Sequence, residues 1–186
     1  MVSIMSLWLP ILISAVFVFV ASSIIHMVLK YHNTDYSKLP DEDGAMEALR
    51  KQDIKPGVYV LPYAGSMEAM KDEAYIEKMK KGPVGFLAVG ENGPPNMGKS
   101  LTLWFISTIV IGIFAAYISG RALGPGADYL SVFRFVGTLS FVAYALGSWQ
   151  NAIWYKHSFS MAVKSSLDAL IYAVITAGTF GWLWPH

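Results

Sequence analysis

The sequence predicts a mainly α-helical polytopic membrane protein, with four transmembrane helices and a small α/β insert between the first two. Three observations carry that expectation. The chain is 54% hydrophobic and only 15% charged, with a mean hydropathy of +0.44, more apolar than soluble domains usually are. Its apolar residues gather into four stretches of spanning length. Its charges gather between the first and second of these: residues 30–99 hold ten of the 14 Lys and Arg and eleven of the 13 Asp and Glu.

The first span is 7–29, free of Asp, Glu, Lys and Arg and long enough at 1.5 Å per residue to cross an apolar layer of about 30 Å. It reads as a span and not as a cleaved signal peptide, because no basic residue precedes it and the apolar run exceeds an ordinary h-region. The second span is 101–119, closed by Gly120 and a turn at Gly124-Pro125-Gly126. The third is 132–154 and the fourth 165–184.

The insert, 30–99, is patterned. Pro40 followed by Asp41, Glu42 and Asp43 marks a helix start, with Met46 and Leu49 on one face. A second helix is expected from an N-cap at Ser66, through early acids and late lysines, to Gly82 and Pro83. Met67, Met70, Ala74 and Met79 form a stripe on it, read as a buried side, the other reading being an adaptable binding face. Strand-like runs at 58–61 and 84–89 flank this helix and suggest a parallel βαβ unit. Two strands are too few for independent stability, so the insert is expected to lean on the spans, the bilayer or another protein.

The positive-inside bias places residues 30–99 in the cytoplasm together with Lys156 and Lys164, and both termini in the periplasm. Rows of small residues at four-residue spacing mark helix-contact faces: Gly112, Ala116 and Gly120 on span two, and Ala169, Ala173, Ala177 and Gly181 on span four. Whether they meet within the chain or against another subunit is open at this point.

Residues 93–100, GPPNMGKS, match the phosphate-binding GxxxxGK[ST] pattern. The pattern works by aiming backbone N–H groups at phosphate oxygens, and Pro94 and Pro95 have none. A hinge into span two is the expectation. Lys99 and Ser100 at that helix start could hold a lipid phosphate.

Asp168 is the one acid inside a predicted span, and intramembrane acids are costly and often functional. It is read as a structural pair with Lys164, four residues earlier, or as a proton or ligand site. His26, Gln150, Asn151 and His157 fall near the same depth, with Tyr31, His32, Trp154 and Tyr155 close by, and with Lys164 and Asp168 they form the candidate polar cluster. Haem ligation is disfavoured because only His26 lies inside a span, and a zinc set would need His26, His32, His157 and Asp168 to converge, so no cofactor or metal is expected. No cysteine is present, which removes thiolate chemistry. No catalytic triad or paired carboxylates stand out, and a net charge of +1 gives no reason to expect nucleic acid.

The strings at 26–50, 81–89 (KGPVGFLAV), 97–105 (MGKSLTLWF), 153–158 (IWYKHS) and 168–185 resemble a family of small bacterial four-span inner-membrane proteins. That resemblance implies the architecture and a bacterial inner-membrane location, and supplies no activity. The expected role is a non-catalytic accessory or structural subunit of a larger membrane assembly, respiratory or photosynthetic, with bilayer and other membrane subunits as partners. The alternative is a small transporter or lipid-handling protein that uses the polar cluster.

Overall fold

The computed structural model describes residues 1–186. In chain order its elements are α1 (Trp8–Ile24), α2 (Glu42–Arg50), β1 (Gly57–Leu61), α3 (Glu73–Lys81), β2 (Gly85–Val89), α4 (Met97–Ala122), α5 (Tyr129–Trp154) and α6 (Phe159–Trp182). They form two compact units. One holds Met1–Asp35, Asn96–Ala152 and His157–His186; the other holds Tyr36–Pro95 and Ile153–Lys156.

The first unit is the bundle. A 3₁₀ turn at Ile4–Leu7 leads into α1, and a π turn at Ile25–Leu29 continues it, so the apolar rod Ile4–Leu29 joins α4, α5 and α6 as four helices long and apolar enough to cross a membrane. Pro10 lies in the first turn of α1, where its missing N–H breaks no hydrogen bond. Side-chain caps start the other three: Asn96 accepts from Lys99 N at 3.0 Å, Asp128 from Leu130 N at 2.9 Å and Ser158 from Met161 N at 3.1 Å. The cap at Ser158 carries α6 back to Phe159, ahead of the predicted start at 165.

In chain contact α1 is central, packing most extensively against α4 and α6. Small residues permit this. A Cβ at Gly112 would sit 3.3 Å from Ile11, and Ala169, Ala173 and Ala177 are buried. Leu7, Val132, Val136 and Phe180, each fully buried, fill the end of the bundle near the termini. Elsewhere α4, α5 and α6 meet through aromatic rings: Trp104, Tyr144 and Tyr172 stand with centroids 5.4–6.1 Å apart. Hydroxyls inside the bundle donate back to their own helix, as Thr108 does to Phe105 O at 2.7 Å and Thr176 to Tyr172 O at 2.8 Å.

The second unit departs from the expected βαβ arrangement. β1 and β2 pair antiparallel, with Gly57 opposite Val89 and Leu61 opposite Gly85. The helix between them starts at Glu73 and is capped by Asp72, which accepts from Ala74 N at 2.9 Å; Ser66 caps only a 3₁₀ turn at Ala69–Lys71. Nine helical residues span about 13.5 Å, less than the roughly 16 Å of a five-residue strand, so α3 is too short for a parallel return crossover. The methionine stripe is not a buried side: Met67, Met70 and Met79 are all exposed. No residue of this unit is buried.

Candidate functional site

The site is built where α1 ends. The π turn at Ile25–Leu29 closes on Lys30, whose φ of 54° is left-handed, and a 3₁₀ turn at Tyr31–Thr34 follows directly. A non-glycine residue in that region is uncommon and is held there by its surroundings. The effect is a sharp change of direction that folds Tyr31, His32 and Asp35 back onto the first turns of α6. Widened π turns of this kind recur at functional sites in helices.

Asp168, on α6, is 5% exposed and is reached from two directions. The Tyr31 hydroxyl donates to its Oδ1. Its Oδ2 lies 2.8 Å from His32 Nε2 and 3.9 Å from His26 Nε2. The two imidazole rings are 4.7 Å apart between centroids. On its other side, His32 Nδ1 lies 2.6 Å from Asp35 Oδ2.

Lys164 completes the arrangement through Asp35. Its ammonium donates to Asp35 Oδ1 at 2.6 Å, Thr34 Oγ1 at 2.7 Å and the Tyr31 carbonyl at 2.9 Å, three acceptors for three N–H bonds. The Asp35 side chain is only 4% exposed. Burial by itself would raise its carboxyl, but hydrogen bonds from Lys164 and His32 outweigh that and hold it below the usual carboxylate range.

This corrects the expected Lys164–Asp168 pair. Lys164 neutralises Asp35, and Asp168 is left to the histidines and Tyr31. The reason is reach: the 3₁₀ turn presents three acceptors to one ammonium, which a carboxylate one turn along the same helix does not match. Of the predicted cluster, His26, Lys164 and Asp168 come together, joined by Tyr31 and His32. Gln150, Asn151 and His157 do not join them. Gln150 and Asn151 are exposed on α5, and His157 Nδ1 faces Met161 Sδ at 3.3 Å. Asp35 was missed by the sequence reading, because it lies outside the span and reaches Lys164 and His32 only through the reversal of the chain at Lys30.

Other predicted positions have local roles. Gly120 and Gly181 are contact points within the bundle: a Cβ would lie 2.5 Å from Val2 O at the first and 2.7 Å from the Tyr129 ring at the second. Ala116 is fully buried. Lys99 and Ser100 sit exposed in the first turn of α4, where the Asn96 side chain and carbonyl already take their N–H groups. Further along the bundle, Trp104 Nε1, Ser140 Oγ and Tyr172 OH are buried with no hydrogen-bond partner.

The chemistry of the cluster is that of a polar junction able to hold a cation or a proton beside one uncompensated carboxylate. Comparison with protein-family models, with curated proteins and with solved structures finds no match for this chain.

Proposed function

We propose that the chain is a non-catalytic bacterial inner-membrane protein that serves as an accessory subunit of a larger membrane assembly, respiratory or photosynthetic. Residues 30–99 face the cytoplasm and both termini the periplasm. The observation that carries this reading is the insert: Tyr36–Pro95 contains no buried residue. A two-stranded sheet flanked by nine-residue helices is marginal in water without a covered apolar face. Its exposed apolar side chains include Tyr63, Met67, Met70, Val58 and Phe86, and a groove of about 360 Å³ runs between Val60, Tyr63, Met70 and Tyr75. Methionine-rich faces of this sort adapt to a partner.

A protein partner fits better than the bilayer. Residues 30–99 carry ten basic against eleven acidic residues, which gives no attraction to an anionic leaflet. The small-residue rows lend no such support, because they pack inside the bundle. The orientation rests on Lys30, Lys99, Lys156 and Lys164 flanking the spans on one side, against Arg121 and Arg134 on the other.

The test is extraction in mild detergent followed by native mass measurement, on the full chain and on a chain with 36–95 replaced by a Gly-Ser linker. The full chain should run in a larger assembly, and the linker variant alone as a free bundle. A full chain that runs as a monomer overturns the reading.

The buried Asp168 with its two histidines favours a second reading, a small transporter or lipid-handling protein working through that cluster. It fails if Asp168→Asn leaves growth and uptake unchanged.

A further inference from the structure

His32 is placed between two carboxylates, with Nδ1 2.6 Å from Asp35 and Nε2 2.8 Å from Asp168. A neutral imidazole carries one N–H. If Nδ1 donates to Asp35, the Nε2 lone pair faces a carboxylate oxygen, an arrangement that is repulsive unless a positive centre lies between them. A proton would meet that need using His32 and Asp168 alone. The structure adds a third donor: His26 Nε2 is turned to the same oxygen at 3.9 Å, and one ligand atom from each of His26, His32 and Asp168 lies within 4.8 Å of the others.

We propose that His26 Nε2, His32 Nε2 and Asp168 Oδ2 form a binding site for a divalent first-row transition-metal cation of the Zn²⁺ type. Bonds of 2.0–2.2 Å in a tetrahedral site put ligand atoms about 3.3 Å apart; the observed 2.8 and 3.9 Å lie on either side of that value, and the two histidines, within 4.8 Å of each other, close onto an ion by rotation of the half-exposed His26 side chain. Two imidazoles and one carboxylate suit a borderline cation; Mg²⁺ and Ca²⁺ take oxygen ligands almost exclusively. Charge agrees. Lys164 neutralises Asp35, so with neutral imidazoles Asp168 contributes a single negative charge toward a 2+ ion.

The surrounding groups are those that orient ligands in metal sites. Asp35 holds the distal nitrogen of His32, which fixes the ring and leaves Nε2 free for a metal. Tyr31 occupies Asp168 Oδ1 and leaves Oδ2 to the ion. Lys164 fixes Asp35 and the 3₁₀ turn. The His26 side chain is 50% exposed, so the ion enters from that side, and the fourth coordination position is open there to water or an exogenous ligand. The site joins the end of α1 to α6. It does not depend on whether the chain is a subunit.

The experiment uses the full chain, purified in detergent through a tag without histidine and stripped with a chelator. Equilibrium dialysis against Zn²⁺ should load about one ion per chain. His32→Gln and Asp168→Asn should bind no more than the detergent blank, while His157→Ala keeps the wild-type value. Asp35→Asn, which touches no ion and acts through His32 and the turn that Lys164 holds, should weaken binding by about tenfold. The wild-type protein with Co²⁺ gives a readout independent of any variant's folding: intense visible d–d bands of a four- or five-coordinate ion. Binding well below one equivalent, binding indifferent to His32→Gln, or a Co²⁺ spectrum resembling the aquo ion each overturns the site.

Discussion

The backbone N–H of Val2 donates to the carbonyl of Gly120 at 2.8 Å, so the first residues of the chain are tied to the last turns of α4. The bond exists because Gly120 has no side chain. A Cβ there would lie 2.5 Å from the Val2 carbonyl oxygen, a backbone atom that cannot swing aside. Gly120→Ala should therefore push the N-terminal segment off α4 and destabilise the bundle by about 1–3 kcal/mol, as overpacking does. Thermal unfolding in detergent measures it, and an unchanged midpoint would show that the contact is loose.

Glycines elsewhere should behave differently. Gly147, on α5, has nothing within 4 Å of a built Cβ, whereas at Gly181 the Tyr129 ring is 2.7 Å away. Gly147→Ala should be neutral or stabilising by up to about 1 kcal/mol. Gly181→Ala should destabilise, and Tyr129→Ala should remove that penalty. The comparison is read from the same unfolding curves, and the idea fails if the two alanine variants shift alike.

Removing the ammonium of Lys164 would leave Asp35 buried without its counter-charge. Lys164→Met should destabilise by about 3 kcal/mol, the low end for breaking a buried pair, given that the lysine retains some exposure. Adding Asp35→Asn to it should recover part of the loss. A double-mutant cycle gives the coupling directly; additive effects would mean that the two side chains act separately.

Asp128 at the start of α5 is held below the usual carboxylate range by hydrogen bonds from the Ser131 hydroxyl and the Ser131 and Leu130 N–H groups. The folded carboxyl thus gives up its proton more readily than the unfolded one, whose ordinary value is 3.8. The cap's contribution is present above that value and is lost as pH falls through the lower folded one. Hydrogen exchange at Leu130 and Ser131 should show protection that Asp128→Asn weakens near neutrality, with the difference shrinking below pH 3.8 and vanishing once the folded carboxyl is protonated. A difference that does not change between neutrality and strong acid would remove the carboxylate from the explanation.

The four apolar helices were readable because hydropathy over some twenty residues is a strong signal, and burying Asp168 among them left a single conspicuous acid to question. The pairing within the cluster was not readable. Lys164 and Asp168 stand at helical spacing, which favours pairing them, but the π turn and left-handed Lys30 bring Asp35 back from outside the span, and no local pattern foretells that reversal. In the insert, short apolar runs marked the strands, while direction depended on where α3 starts. Asp72 displaced Ser66 as its cap and shortened the helix. The methionines sat at core spacing but on a unit with nothing to bury them against.

The π turn at Ile25–Leu29 also sets the phase of the chain that follows it. A π turn holds one residue more than an α turn, and each residue advances a helix by about 100°. The hydrophobic length of the first span has residues to spare; its angular register does not. Deleting one residue from 27–29 would leave a rod still long and apolar enough to cross a membrane yet rotate His32 away from His26 and Asp168, so that the proposed Zn²⁺ binding should disappear while the four apolar helices stay intact. Span length and site alignment are thus separately encoded in one continuous helix.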